Sequence, residues 1–120
     1  MEVHGREIRF RRTVLGNCEI ADLCPKGDIN RFGEVLQKGT YSQQQMLGAK
    51  FMVALSKGYE MTRKYAEPDY TPNPLTAEEA LLLDDQTFND LFMEAMNAFI
   101  DDGKTTVETA PPKKAEEASE

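Results

Sequence analysis

The sequence predicts a mainly α-helical domain of about five helices, opened by a short N-terminal β-hairpin and closed by a disordered C-terminal tail. Three observations carry this. Apolar residues alternate with charged ones at Val3, Ile8 and Phe10, and after residue 13 they recur at spacings of three and four. Helix-start signatures of the form Ser/Thr-x-x-Glu/Gln stand at Ser42 with Gln45 and at Thr76 with Glu79. Beyond Gly103 the apolar periodicity stops. With 120 residues, 40% of them hydrophobic, one domain over residues 1–103 and a charged tail over 104–120 account for the chain.

In residues 1–13, His4 and Gly5 occupy the place where a two-residue turn joins two strands. Glu7, Arg9 and Arg11 then share the outer face of the second strand, because successive side chains point to opposite sides. Val14, Cys18, Ala21, Leu23 and Cys24 fit a short helix that Pro25 and Gly27 stop. Asp28 is placed to cap a second helix, whose Ile29, Phe32, Val35 and Leu36 share a face and which ends at Gly39.

A third helix is expected over residues 42–65, its start marked by the Ser42/Gln45 pair with Tyr41 and Met46 as hydrophobic staple. Leu47, Phe51, Leu55 and Tyr59 form one apolar stripe, and Met46, Ala49 and Val53 widen it, so burial on two sides is expected. Pro68, Pro72 and Pro74 make the following segment an extended, stiff connection. Thr76 and Glu79 open a short helix through Leu83, and Asp85 is placed to cap the last one. There Phe88, Leu91, Phe92, Ala95, Met96, Phe99 and Ile100 form a regular amphipathic stripe that ends before Gly103.

Charge and composition exclude several functions. A net charge of -7 repels phosphate backbones and anionic lipid, so neither nucleic acid nor membrane is an expected partner. The longest apolar run, residues 51–55, is far short of the roughly 20 residues a spanning helix needs. Residues 1–12 are too charged for a signal peptide, and a cytoplasmic protein is expected. Cys18 and Cys24 would lie about 9 Å apart along a helix, on different faces, and read as small core residues rather than a disulfide or a metal pair.

No pattern of catalysis stands in the chain. G-x-G-x-x-G, G-x-x-x-x-G-K-[ST], G-x-S-x-G and H-E-x-x-H are all missing, and the one histidine, His4, lies in a turn. The adjacent acids Glu78 with Glu79, Asp84 with Asp85, and Asp101 with Asp102 point about 100° apart on a helix and do not converge on a cation. No catalytic residue, cofactor or metal site is expected.

The charge is distributed unevenly. Residues 42–65 carry Lys50, Lys57, Arg63 and Lys64 against Glu60 alone, whereas residues 76–102 carry Glu78, Glu79, Asp84, Asp85, Asp90, Glu94, Asp101 and Asp102 with no base. These basic and acidic helices would pack together within one molecule or between neighbouring copies, so self-association stays open.

In order and texture the chain resembles the phage tail assembly chaperones. The resemblance lies in the hairpin EVHGREIRFRR, the helical body, the proline-broken linker, the segment LTAEEALLLDDQTFNDLFMEAMNAFIDD and the charged tail. It implies a small, non-enzymatic factor acting in the cytoplasm of a bacterial host. Such a factor binds the tape measure protein, keeps it soluble and helps the tail tube protein assemble around it. The family offers no catalytic residue to carry over.

The candidate contact residues come from this sequence. Met46, Met52, Tyr59 and Met61 with Met93 are expected to form an adaptable apolar surface for a helical partner, against the plainer reading of methionines as core filling. Asp84, Asp85, Asp101 and Asp102 are expected to recruit tube subunits or a basic stretch of partner. The competing function is a small acidic inhibitor or antitoxin that covers a basic target surface. A structural phage protein that stays in the particle is a third.

Overall fold

The structure, a computed structural model, describes the backbone of residues 1–109 and the side chains of residues 1–102. Five helices follow a two-stranded hairpin, as the sequence predicts. Strands β1 (Glu2–Val3) and β2 (Arg6–Glu7) pair antiparallel, with Val3 opposite Arg6. Both turn residues have positive φ, His4 at 51° and Gly5 at 83°, as a tight hairpin turn of the matching twist requires. Val3 and Ile8 point inward and are buried, and Glu7, Arg9 and Arg11 are exposed.

Helix α1 (Val14–Ala21) is capped by Thr13, whose side chain accepts from the Gly16 amide. It ends before Cys24, and Pro25–Gly27 forms a separate single turn in which Lys26 and Gly27 take positive φ. Cys24 is buried and its thiol donates to the Ile20 carbonyl, but Cys18 is exposed and is not a core residue. The early end of α1 has a physical cause: proline cannot continue the ladder, and the chain turns three residues before it. Asp28 caps as expected, accepting from the Asn30 amide over a single turn, Ile29–Arg31, that leads into α2 (Phe32–Lys38).

Helix α3 (Tyr41–Ala66) is the axis of the molecule, and α1, α2, α4 and α5 all pack on it. Its start lies earlier than predicted. Thr40 is the cap, with its side chain accepting from Gln43 N–H and the Gln43 side chain accepting from Thr40 N–H. Thr40-x-x-Gln43 and Ser42-x-x-Gln45 satisfy the same rule, and Thr40, whose own backbone is extended, is the cap, with Ser42 already inside the helix.

The linker returns along α3 to α4 (Ala77–Leu81), which the Thr76/Glu79 capping box opens as predicted. Helix α5 (Asp85–Thr109) is capped by Asp84 rather than Asp85: its carboxylate accepts from the Thr87 amide and hydroxyl. The helix also passes Gly103, which tolerates helical backbone at a cost of about 1 kcal/mol. The expected tail therefore overlaps α5 over residues 104–109, and residues 110–120 lie outside the described residues.

Phe51 is the centre of the core. It is wholly buried, stacked on Phe32 at 4.7 Å between ring centroids, and edge-on to Phe99 at 5.3 Å. Val3 and Ile8 of the hairpin, Ile20, Ala49, Met52, Leu55, Leu75, Leu91 and Ala95 belong to the same core. The basic and acidic helices do pack together within one molecule, but through these apolar side chains. The bases of α3 instead pair with Glu19, 2.7 Å from Lys57, and with Glu67, 3.2 Å from Arg63.

Candidate functional site

Helices α2 and α3 are joined at the single link Gly39–Thr40 and diverge from it, leaving a groove. Its volume is about 650 Å³. Leu23, Val35 and Leu47, each half-buried, and Met46, 46% exposed, supply its apolar surface. Val35 belongs to the face of α2 that Ile29, Phe32 and Leu36 share. With seven residues, α2 is too short to bring that whole face onto α3, and the side facing the joint is left open.

The rim is basic. Arg31, Lys38 and Lys50 line it against one acid, Glu34. Glu34 is shared, 2.8 Å from Arg31 and 3.6 Å from Lys38, and chiefly the Arg31 hydrogen bond lowers its pKa below the usual carboxylate value. Lys50 makes no ion pair among the described residues.

On the other side of Met46 lies a smaller groove of about 270 Å³, lined by Tyr41, Leu81, Leu83, Asp85 and Phe88. Tyr41 is 69% exposed, and Leu82 next to this groove is 72% exposed. The start of α3 thus stands between two grooves and presents Tyr41 and Met46 among the polar Ser42, Gln43 and Gln45. Large apolar side chains left open together in this way mark a contact surface.

The predicted contact residues divide. Met46 lines both grooves. Met52 is wholly buried and belongs to the core, because α3 is covered on several sides. Tyr59 is half-buried, and Met61 is exposed fifteen residues beyond Met46, about 22 Å along the helix axis. Met93 is exposed on α5. These residues do not form one surface.

The acids divide as well. Asp84 holds the start of α5, and its pKa is lowered by the Thr87 side-chain and backbone hydrogen bonds. Asp85 is exposed and lines the smaller groove. Asp101 is exposed, while Asp102 is half-buried and accepts from the Arg12 amide at 2.9 Å. The Arg12 guanidinium lies 3.9 Å from the Phe99 ring centroid and donates to the Phe99 carbonyl. Asp102 thus fastens the segment before α1 to α5, which accounts for an acid in a stretch of helix where the dipole gives it no benefit.

Two further arrangements were not visible in the residue pattern. Arg6 forms a forked pair with Glu79, at 2.6 and 3.0 Å, and also donates to the Pro74 carbonyl at 3.0 Å. Ser56 and Glu60, both buried on α3, accept from the Leu75 and Asn73 amides at 2.8 and 2.9 Å.

Among the described residues no three His, Cys, Asp or Glu side chains converge as metal ligands, and no helix is long and apolar enough to cross a membrane. The chain shows no significant match to known family models, to curated proteins or to solved structures.

Proposed function

We propose that this protein acts by binding, as a tail assembly chaperone that holds a helical segment of the tape measure protein in the groove between α2 and α3. The observation that carries the reading is that groove: an apolar trough of about 650 Å³, walled by helices and left open by the fold. A trough of that size takes a few apolar side chains of one helix face, the usual mode by which an amphipathic helix is captured. Met46 on its wall suits a surface that adapts to several related segments, because the thioether chain is unbranched and flexible. The proposed setting is the cytoplasm of a bacterial host, with the tail tube protein as a second partner reached through the exposed acids.

The test is co-expression with the largest coiled-coil-rich protein encoded immediately downstream, followed by pull-down and sedimentation. Solubilisation that persists at about 0.5 M salt, where screening cuts charge attraction to roughly 4 Å, and that Met46→Asp abolishes is the expected result. A neighbour that stays insoluble and uncaptured contradicts the reading.

The acidic inhibitor or antitoxin is the second reading, favoured by one surface. Glu78, Asp84, Asp85 and Asp90 are all exposed on α4, the α4–α5 connection and the first turns of α5. Binding through that surface would fall steeply with salt, in contrast to binding in the groove.

A further inference from the structure

We infer that the segment held in the α2–α3 groove is an acidic amphipathic helix, whose carboxylates meet the basic rim formed by Arg31, Lys38 and Lys50. This rests on the reading of the groove as the partner site and adds the partner's chemistry.

The first step concerns backbone hydrogen bonds. The groove offers no free strand edge: both walls are helices, whose amides and carbonyls pair within their own ladders except at the ends that meet at the Gly39–Thr40 joint. An extended peptide laid there would leave its own N–H and C=O groups without partners against the apolar floor. A helix brings its hydrogen bonds with it, so a helix is the occupant the walls accept.

The second step concerns charge. Three bases and one acid surround the apolar floor. Glu34 on α2 serves both Arg31, just before the helix, and Lys38, at its end, which leaves the pair with one positive charge in excess. Lys50, on the opposite wall, is exposed and adds another. The net charge of -7 belongs to other faces, and beyond about 8 Å it is screened at physiological salt. The nearby basic rim therefore sets the sign of the partner.

The third step concerns spacing. Arg31 stands one residue before α2 and Lys38 at its last position. Their charged ends nevertheless converge on one oxygen of Glu34, at 2.8 and 3.6 Å, and form a single basic cluster on the α2 wall. A partner helix lying along α2 meets this cluster with acids on one flank, and Lys50 faces it from the other wall. Asp85, across Met46 in the smaller groove, disfavours acid on the partner's other flank. The partner is thus acidic on one flank, apolar toward Val35 and Leu47, and neutral or basic on the other.

The experiment uses the full chain and three labelled 21-residue helical peptides with identical leucines. Their flanking heptad positions carry Glu, Gln or Lys, and binding is read by fluorescence anisotropy at 0.15 M salt. The Glu peptide is expected to bind at least tenfold more tightly than the Lys peptide. The double variant Lys38→Glu/Lys50→Glu, at two exposed positions, is expected to reverse the order, and Val35→Asp to weaken all three peptides. Circular dichroism checks that each variant is folded. Equal affinities, or tighter binding of the Lys peptide, overturn the acidic partner and leave the groove as a helix site. No binding of any peptide overturns the groove reading itself and this inference with it. Self-association of the chain that no peptide displaces makes a second copy the occupant, which also overturns the proposal.

Discussion

The Tyr70 hydroxyl donates to the Glu60 carboxylate, which is buried on α3 and also accepts the Asn73 amide. Through this pair, and through Ser56 one turn earlier, a single helix face carries the linker from α3 to α4. The hydrogen bond to Glu60, foremost, raises the pKa of Tyr70 above its ordinary value. Replacing Glu60 by Ala leaves the Asn73 amide and the Tyr70 hydroxyl without a partner, and the expected destabilisation is about 1–3 kcal/mol. Native-state hydrogen exchange checks it: Asn73 should exchange faster in Glu60→Ala, and unchanged exchange there would contradict the clamp.

Gly58 has an equally specific reason to be glycine. A Cβ there would lie 2.4 Å from the Arg11 carbonyl oxygen, because the segment after the hairpin crosses α3 at this point and the Arg11 amide bonds the Leu55 carbonyl. Alanine is the better helix former by about 1 kcal/mol, yet Gly58→Ala is expected to lower stability by about 1–3 kcal/mol, since backbone must move. Urea unfolding measures this. A gain in stability would show that the crossing is looser than the structure has it.

The Arg6–Glu79 pair makes stability depend on acid. The Arg6 hydrogen bond is the largest cause of a lowered Glu79 pKa, below its usual value near 4.5. In the window between the two values the unfolded chain binds the extra proton. This contribution is therefore fully present above about pH 4.5 and is lost as pH falls through the folded value. Urea midpoints followed from pH 7 to pH 3 should fall less steeply for Glu79→Gln than for the wild type. Identical slopes would remove the pair from the account.

Methionines of equal composition should behave unequally. Met52→Ala empties a fully buried site and is expected to cost about 2–5 kcal/mol. Met46→Ala, at a half-exposed groove wall, is expected to stay within about 0.5 kcal/mol and to weaken partner binding instead. Thermal unfolding and the pull-down together separate the two.

The acids divide in the same way. Asp84→Ala removes the cap of α5 and is expected to lower the melting temperature, while Asp85→Ala is expected to leave it nearly unchanged. Truncating both with Asp101 and Asp102 therefore mixes a binding test with a folding defect, and Asp85 is the informative position.

The fold was legible wherever a local rule decides. The His4–Gly5 turn, the Asp28 cap, the Thr76/Glu79 box and the stripe of α5 each follow from residues within a few positions of one another. Thr40 and Ser42 satisfied one local rule twice, so the start of α3 was ambiguous. Gly58, Ser56 and Glu60 are explained only by segments that return from far along the chain, and no periodicity encodes them. The candidate site was read least well for the same reason. Whether a methionine is core or surface depends on which helix covers it, and Met46 and Met52 are separated by contacts that α2 and α5 decide.

The most direct measurement labels the methionine methyl groups with carbon-13 and follows their spectrum while helical peptides tiled from the downstream protein are added. The account predicts that every binding peptide shifts the Met46 signal and leaves Met61, Met93 and buried Met52 in place. Binding that shifts Met61 or Met93 and leaves Met46 unmoved would contradict it.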